Sequence, residues 1–366
     1  MTQASTAPQI VDWSAAAQIA GRLAAPGPQA PRDELDSLVS GLRTAAGDAV
    51  GHVLETTRML PAPREGLAAW DDGGPLSPVV IVDRATWARA NTQSMAAMTD
   101  GIGAVVAEVS KGATSPGAQM AGAAEIGAVL ALLSGRVLGQ FDPYSGPGRL
   151  LLVAPNVLQA EQALRVPVRD FRLWVCLHEQ THALQFAAAP WLAGHLGDRT
   201  QGLIAGMART SAELAKARFD KKVVAIGRNV LATLRGEGGT IMDGMLTHEQ
   251  KDELADITAV MALLEGHADV MMDAVGPRVV PSVRRIRARF ERRRDGEGRN
   301  TFDVVLQKLL GMEAKLAQYR DGAVFVRAVE RTVGRDGLNA VWAAPENLPT
   351  AREIADARAW VRRVHG

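Results

Sequence analysis

The chain has little of several residue types that mark particular protein classes. Cys176 is its single cysteine in 366 residues, so an intrachain disulfide is impossible, and a lone thiol is typical of a reducing cytoplasm. The formal net charge is +1, which argues against a nucleic-acid-binding protein. Residues 1–13 show no basic segment followed by an apolar run, so we expect no signal peptide and a cytoplasmic protein.

The sequence also lacks an uncharged apolar run long enough to cross a membrane. The most apolar region, 101–139, contains Glu125 and Arg136 within any window of bilayer length. We therefore predict a packed core helix here rather than a membrane span. Gly122 and Gly127 would let a neighbouring helix approach it closely.

One short motif stands out, His178-Glu179-Gln180-Thr181-His182, which has the pattern H-E-x-x-H. Asp170 is placed to cap a helix that continues without a breaker to Pro190. Histidines four apart lie on one face of a helix, so both imidazoles can reach one metal ion. Glu179 is rotated by about 100° from His178, where it can act on a water as general base rather than bind the metal.

The motif has only three fixed positions, so a solvated polar helix face is the alternative interpretation. The apolar residues around it argue against that alternative, because they predict a buried helix. Polar side chains inside a buried helix need a partner, since leaving them unpaired costs about 2–7 kcal/mol by transfer scales. The surrounding apolar residues are Leu173, Val175, Cys176, Leu177 and Leu184.

A catalytic zinc ion needs a third protein ligand and an open position. The continuation found in metzincins, H-x-x-G-x-x-H, is absent, because Gln185 and Ala188 occupy its glycine and histidine positions. His195 and Asp198 follow soon after and are possible ligands. They lie in a glycine-flanked segment with no supporting pattern.

A better third ligand lies in a helix that we expect to begin after Thr247, because Gln250 three residues on completes a capping-box pattern. Glu265 and Asp269 are four residues apart on one face, which matches the E-x-x-x-D helix of gluzincins. We predict that Glu265 binds the metal and that Asp269 accepts the second ring N–H of a ligating histidine. His267 is the competing ligand, but it lies about 200° from Glu265 among apolar residues, as a core histidine would. Gly266 would let the two metal-binding helices approach closely.

The remaining sequence predicts a mainly α fold with a small β component. A turn-rich segment, 141–148, suggests a boundary between a helical N-terminal lobe, 1–145, and a catalytic lobe, 146–366, although one continuous domain is also possible. The arginine-rich segment 282–294 predicts a basic helix. It presents either a surface for a membrane or nucleic acid, or a solvated face, or it pairs with the acidic helix before it; the balanced total charge favours the last two.

We predict helices at 11–23, 33–60, 84 onward, 155–164, 170–190, 190–197, 211–234, 247–275, 282–294 and 301–366, the last with a loop at 345–349, and strands at 79–82 and 149–154.

These motifs together resemble one family of actinobacterial proteins, the zincin-like metalloproteases, of which one branch is associated with deazaflavin coenzyme biosynthesis. The resemblance covers roughly 139–366 and, more loosely, the N-terminal part. It implies a mainly helical zincin fold and a zinc hydrolase, but no particular substrate. The segments that carry it are 172–179 with the following Thr181-His182, Pro190-Trp191-Leu192, Leu264 to Asp269, and Pro345 to Pro349.

The predicted function is therefore a zinc-dependent metallopeptidase of gluzincin type, with Zn²⁺ as cofactor, a peptide or protein as substrate, and no nucleic-acid partner. Tyr319 is our candidate for stabilising the oxyanion, and Tyr144 is the only other tyrosine. Two alternatives remain: a non-catalytic zinc protein whose site is closed by a fourth ligand, and an accessory protein that binds partners in a coenzyme pathway. The sequence does not indicate an oligomeric state.

Overall fold

A computed structural model describes residues 9–63, 74–109, 115–216, 246–295 and 312–366. These residues are mainly helical, with one three-stranded sheet, which confirms the predicted fold class. The elements before the H-E-x-x-H motif are α1 (Trp13–Leu23), α2 (Arg32–Thr57), β1 (Val79–Val82), α3 (Arg84–Met98), α4 (Ile102–Val109), α5 (Pro116–Leu133), β2 (Gly139–Asp142), β3 (Arg149–Val153) and α6 (Ala154–Leu164).

The later elements begin with the helix that carries the motif, and all of them are helical. They are α7 (Val168–Ala188), α8 (Leu192–Lys216), α9 (His248–Ala274), α10 (Val283–Asp295), α11 (Met312–Leu338), α12 (Ala351–Ala355) and α13 (Ala357–His365), with 3₁₀ turns at Asn339–Trp342 and Pro345–Asn347. Helix α11 contains a kink at Gly334, whose φ of 73° lies in the left-handed region.

Helices α1, α3 and α5 pack together on one side of the sheet. Asp12 and Asp83 cap α1 and α3, each accepting a hydrogen bond from a backbone N–H three residues on. Helix α5 is long and apolar enough to cross a membrane, with 22% of it buried. This is weak evidence for a membrane span, because core helices of soluble proteins can have the same length and composition. The inner face of α5 packs on α1, where a β-carbon on Gly127 would lie 2.8 Å from the Ile19 side chain, so the predicted close approach at Gly127 is confirmed. Its outer face is exposed at Met120 and Val129.

The sheet has the order β1–β3–β2, with β1 parallel and β2 antiparallel to the central strand β3. The apolar run that predicted β3 is fully buried, as a central strand covered on both faces should be. The sequence analysis missed β2, because Phe141 and Asp142 were assigned to the turn. The predicted boundary between lobes stays a prediction, although the sheet takes strands from both sides of it.

Helix α7 lies between α2 on one side and α9 on the other. It begins two residues before the predicted cap, and Asp170 is inside its first turn without capping it. The Asp170 carboxylate instead accepts hydrogen bonds from the backbone N–H and hydroxyl of Ser282, immediately before α10. The predicted helix start was therefore wrong, because tertiary structure gives Asp170 a distant partner.

Helix α8 also differs from the expectation. It continues through Gly197, where a break was predicted. Arg199 on α8 forms ion pairs with Glu253 and Asp256 on α9, at 2.6 and 3.4 Å. These ion pairs stabilise the helical conformation of α8 near Gly197, where the glycine locally disfavours a helix. Most of the predicted helix at 211–234 lies outside the described residues.

Helix α9 has the predicted capping box, in which Thr247 and Gln250 bond each other's backbone N–H groups. Gly266 allows a close helix approach as expected, but the partner is α11 rather than α7. A β-carbon on Gly266 would lie 2.2 Å from the backbone carbon of Gly322, and one on Gly322 would lie 1.9 Å from the carbonyl oxygen of Ala262. The α9–α11 crossing therefore requires glycine at both positions.

The basic helix α10 pairs largely with neighbouring elements. Arg287 forms ion pairs with Asp269 and Asp273 of α9, at 2.8 and 2.9 Å. Arg285 and Arg289 donate hydrogen bonds to carbonyl oxygens at the C-terminal end of α6, where cations are favoured by the helix dipole. The interpretation of α10 as a partner of the preceding acidic helix thus accounts for Arg287.

The glycine contact between α9 and α11 generates a first prediction. Gly322→Ala should lower the free energy of unfolding by at least about 1–3 kcal/mol, since backbone atoms must move to admit the methyl group. Gly51→Ala is the matched control, because Gly51 is exposed within α2 with open space around it; it should stabilise the protein by about 0.5–1 kcal/mol. Urea unfolding measures both, and equal stability of the two variants would contradict the packing described.

Candidate metal site

Two helices bring three potential metal ligands together. His178 and His182 project from α7, and Glu265 projects from α9. The Nε2 atoms of the two histidines are 3.1 Å apart. The carboxylate oxygens of Glu265 lie 3.5 Å from His178 Nε2 and 3.6 Å from His182 Nε2. Within the described residues, this is the one group of three or more His, Cys, Asp or Glu that could hold a metal ion.

The dimensions of this triangle fit a tetrahedral zinc site. Zinc binds histidine nitrogen and carboxylate oxygen at about 2.0–2.2 Å, and two ligands of a regular tetrahedron are then about 3.3–3.6 Å apart. The two histidine nitrogens are 3.1 Å apart, and one Glu265 oxygen faces each histidine: Oε2 lies 3.5 Å from His178 Nε2, and Oε1 lies 3.6 Å from His182 Nε2. These separations are close to that range. The cluster contains no fourth such ligand among the described residues, which leaves a position for water or substrate.

The electrostatics of the cluster also favour a cation. Burial opposes the charge of His178, but its hydrogen bond to Glu265 and the nearby carboxylates raise its pKa to about 9. Burial opposes the charge of Glu265 as well, yet the two histidines lower its pKa to about 2. Burial lowers the pKa of His182. At neutral pH His178 therefore carries a proton beside an ionised Glu265, and a divalent ion can displace that proton.

Gln185 orients His182, a role that the sequence analysis did not assign. The Gln185 side-chain amide donates to the backbone oxygen of Leu264 at 2.9 Å, which fixes its Nε2 toward α9. Its Oε1 then faces His182 Nδ1 at 2.9 Å, so Nδ1 carries the proton and Nε2 presents a lone pair to the ligand cluster. The spacing of three residues along α7 could have indicated this contact.

His267 lies outside the ligand triangle. Its ring is fully buried and packs edge-on against Trp342, at 5.2 Å between ring centroids. Its Nδ1 accepts a hydrogen bond from the second N–H of the Gln185 amide at 3.0 Å. Burial and the charges of His182 and Arg335 lower its pKa to about 3, so it is a neutral core histidine.

The other ligands considered from sequence are also elsewhere. His195 packs against Trp191 on α8, and Asp198 is exposed on the same helix. The carboxylate of Asp269 accepts from Arg287 at 2.8 Å, and no hydrogen bond joins it to a histidine among the described residues. Asp269 acts on the site through its charge, which contributes to the raised pKa of His178.

Glu179 lies beside the ligand triangle rather than within it. Its side chain is buried, and burial together with the charge of Glu265 raises its pKa to about 7, while His178 opposes this. A β-carbon on Gly139 would lie 2.6 Å from Glu179 Cγ and 2.9 Å from its Oε1. Glycine at the start of β2 thus leaves the space that the carboxylate occupies.

The two tyrosines take different positions. Tyr319 lies on α11, and its side chain is outside the described residues. Tyr144 lines the cleft beside His182 and Glu179, and its hydroxyl donates to the backbone oxygen of Ala193 at 3.4 Å. Burial and the nearby Asp142 raise the pKa of Tyr144 to about 12, so its hydroxyl remains a hydrogen-bond donor at neutral pH.

Two cavities meet at the ligand cluster. The larger one, of about 470 Å³, extends past His182 between β2 and helices α3, α8 and α9. The smaller one, of about 260 Å³, extends past Glu265 toward Trp174 and Phe290, with Arg136 at its wall. His178, Glu179 and Glu265 line both cavities, so a substrate lying across the site would occupy both.

The helical fold, the ligand triangle and the adjacent carboxylate define a metal-dependent hydrolase of the zincin class. The sequence profile of the zincin-like metallopeptidase family matches residues 11–361, and the chain belongs to this family. Metal binding in this family is typically of zinc.

A solved structure is similar over nearly the whole chain. It is a protein from Chloroflexus aurantiacus described as a candidate hydrolase with a novel fold, 26% identical, with a TM-score of 0.62. The match covers 96% of this chain and 98% of that one. No curated protein matches. The actinobacterial origin and the link to deazaflavin coenzymes stay predictions.

Because Glu265 lies in the ligand cluster and His267 outside it, substitutions at these two positions should affect metal binding differently. Glu265→Ala should lose most of the bound metal, because one of three ligand atoms disappears. His267→Ala should keep the metal and lose stability through a cavity beside Trp342. Elemental analysis of the purified variants measures the metal, and the reverse pattern would refute the assignment of the third ligand.

The orientation of His182 gives a further prediction. Gln185→Leu should weaken metal affinity by about 10–100-fold, the range for loss of a partner that orients a ligand. Asp269→Asn should have a smaller effect, since Asp269 pairs with Arg287 rather than with a ligand. Competition with a chelator measures both affinities. A larger loss of affinity in Asp269→Asn than in Gln185→Leu would contradict this assignment and show that Asp269, as predicted from sequence, orients the ligand.

Proposed function

We propose that the protein is a zinc-dependent peptidase or amide hydrolase in which His178, His182 and Glu265 bind the metal and Glu179 is the general base. The observation that carries the proposal is the placement of a buried carboxylate beside a three-ligand cluster with an open position. Zinc that only stabilised a fold would have its coordination closed by a fourth protein ligand. A structural zinc would also have no use for the buried carboxylate of Glu179 beside its ligands.

Zn²⁺ held by these ligands would polarise the scissile carbonyl and lower the pKa of a bound water. Glu179 accepts a proton as water attacks the carbonyl carbon, because its buried carboxylate lies beside the ligand cluster in the space left by Gly139. It returns the proton to the leaving nitrogen as the C–N bond breaks. The products are a carboxylic acid and an amine, and Glu179 ends in its starting form.

The exposed edge of β2 supports a peptide substrate. Val153 donates to the carbonyl oxygen of Leu138 at 2.9 Å, and Gly139 pairs with Leu152 in the next position of the ladder. Because bonded and non-bonded pairs alternate in antiparallel sheets, the N–H and C=O groups of Gly139 and Phe141 point away from β3. An extended peptide can hydrogen-bond to them while its carbonyl lies near Glu179.

The oxyanion formed during attack also needs a hydrogen-bond donor. Tyr144 lines the same cavity as Glu179 and His182 and keeps its proton at neutral pH. We propose Tyr144 for this role, with its hydroxyl turning from the carbonyl oxygen of Ala193, a long contact of 3.4 Å, to the oxyanion. Tyr319 stays the residue suggested by sequence alone.

The decisive experiment replaces the base and leaves the ligands intact. Glu179→Gln should retain normal metal content and fold, and should lose about 10²–10⁴ in hydrolytic rate, because it removes proton transfer. Cleavage of a peptide library, with chelator-sensitive cleavages by the wild type as reference, measures the rate.

Glu55→Gln is the matched control, since Glu55 is exposed on α2, and it should cleave like the wild type. Equal cleavage by the Glu179→Gln variant would show that Glu179 is not the base. A zinc-loaded wild type that cleaves nothing would refute the proposed hydrolase and favour a structural zinc or an accessory protein.

A further inference from the structure

The larger cavity beside the ligand cluster has a predominantly apolar wall. The apolar residues that form it come from three helices and include three methionines. They are Met95 and Met98 of α3, Phe186 of α7, and Ile257, Met261 and Leu264 of α9. Met261 is one helical turn before the ligand Glu265, so this wall begins immediately beside the reacting centre.

Polar side chains in the same wall are already bonded within the protein. The amides of Asn91 and Gln140 bond each other reciprocally, at 3.1 and 2.9 Å. The hydroxyl of Ser94 donates to the backbone oxygen of Ala90 at 3.2 Å. The Asn91–Gln140 pair holds α3 against β2, and the Ser94 hydroxyl is engaged within α3.

Three acidic side chains line the cavity, of which Glu265 belongs to the ligand cluster and Glu179 is the proposed general base. The third, Asp142, is 1% exposed and accepts from Arg149 Nε at 3.0 Å and from the hydroxyl of Ser145 at 2.7 Å. A charged substrate side chain against the apolar wall, away from the ligand cluster, would lose its hydration without gaining an ionic partner, which is strongly unfavourable. An apolar side chain would meet a complementary wall.

We infer that this cavity is the specificity pocket of the enzyme and that it binds an uncharged apolar side chain, such as leucine, methionine or phenylalanine, of the residue next to the scissile bond. The inference rests on the proposed function, because it assumes that the ligand cluster is where the bond is broken. A volume of about 470 Å³ exceeds one side chain, and flexible methionines can adapt to apolar groups of different shape.

Met261 allows the wall to be changed without disturbing the core. It is 38% exposed, so a charged side chain there can reach water and the fold should tolerate it. Met261→Arg should raise cleavage of peptides with Asp or Glu in the pocket, relative to Leu, by roughly tenfold, the size of a partly solvated charge interaction. Met261→Glu should raise the relative cleavage of Lys and Arg peptides by a similar factor.

Leu254→Arg is the matched control. Leu254 is on the same helix, is 40% exposed and does not line the cavity, so its cleavage profile should equal that of the wild type. Profiles are read by mass spectrometry from a library that varies the residues flanking each cleaved bond. An unchanged profile in both Met261 variants, with zinc content and overall rate retained, would overturn the inference and leave the proposed hydrolase standing.

A binding measurement tests the pocket without requiring catalysis. In protein labelled at methionine methyl groups, millimolar N-acetyl-leucinamide should shift the NMR signal of Met261, and N-acetyl-aspartamide should leave it unchanged. Signals are assigned by comparison with the Met261→Leu variant. Equal shifts from both amides, or none from either, would overturn the pocket even if peptide cleavage were observed. A selective shift in a protein without activity would support the pocket and refute the hydrolase.

Discussion

The hydrogen bond from the side-chain amide of Gln185 to the backbone oxygen of Leu264 is the interaction on which the candidate metal site depends. The backbone oxygen of Leu264 can only accept a hydrogen bond, so it fixes which end of the amide faces α9. The other end must then accept from His182 Nδ1, and the remaining N–H must face His267. One backbone carbonyl, adjacent in sequence to Glu265, thereby sets the tautomer of a ligand on the other helix. Gln185 thus joins α7 to α9 next to the proposed ligands His182 and Glu265, whose relative positions the metal site requires.

A second constraint is the space around the catalytic carboxylate. Glu179 is buried between the ligand cluster and β2, and the missing side chain of Gly139 provides the room. The same glycine turns its backbone groups to the free edge of the sheet, where a peptide would lie. Burial also raises the pKa of this carboxyl, which suits the general-base role that we propose for Glu179.

The two sides of the candidate site differ: ion pairs dominate one side, and apolar side chains line the other. Arg287 neutralises Asp269 and Asp273, and its guanidinium lies 5.3 Å from the ring centroid of Trp174, so α10 closes one side of the cleft. On the other side, Asn91 and Gln140 bond each other, and Asp142 accepts from Arg149. In the pocket that we infer, the three methionines would discriminate substrates by hydration rather than by ionic recognition.

The sequence by itself determined the elements whose signals are local. The absence of a helix breaker before Pro190 predicted α7, the capping box located the start of α9, and the spacing of His178, Glu179 and His182 placed three groups on one helix. Only tertiary structure decided how distant elements meet. It joined β2 to β3 although Phe141 and Asp142 read as a turn, paired Asp269 with Arg287, and set Gly266 against α11. These outcomes depend on contacts between residues far apart in the chain, and no local pattern specifies which of several compatible partners a buried polar group will find.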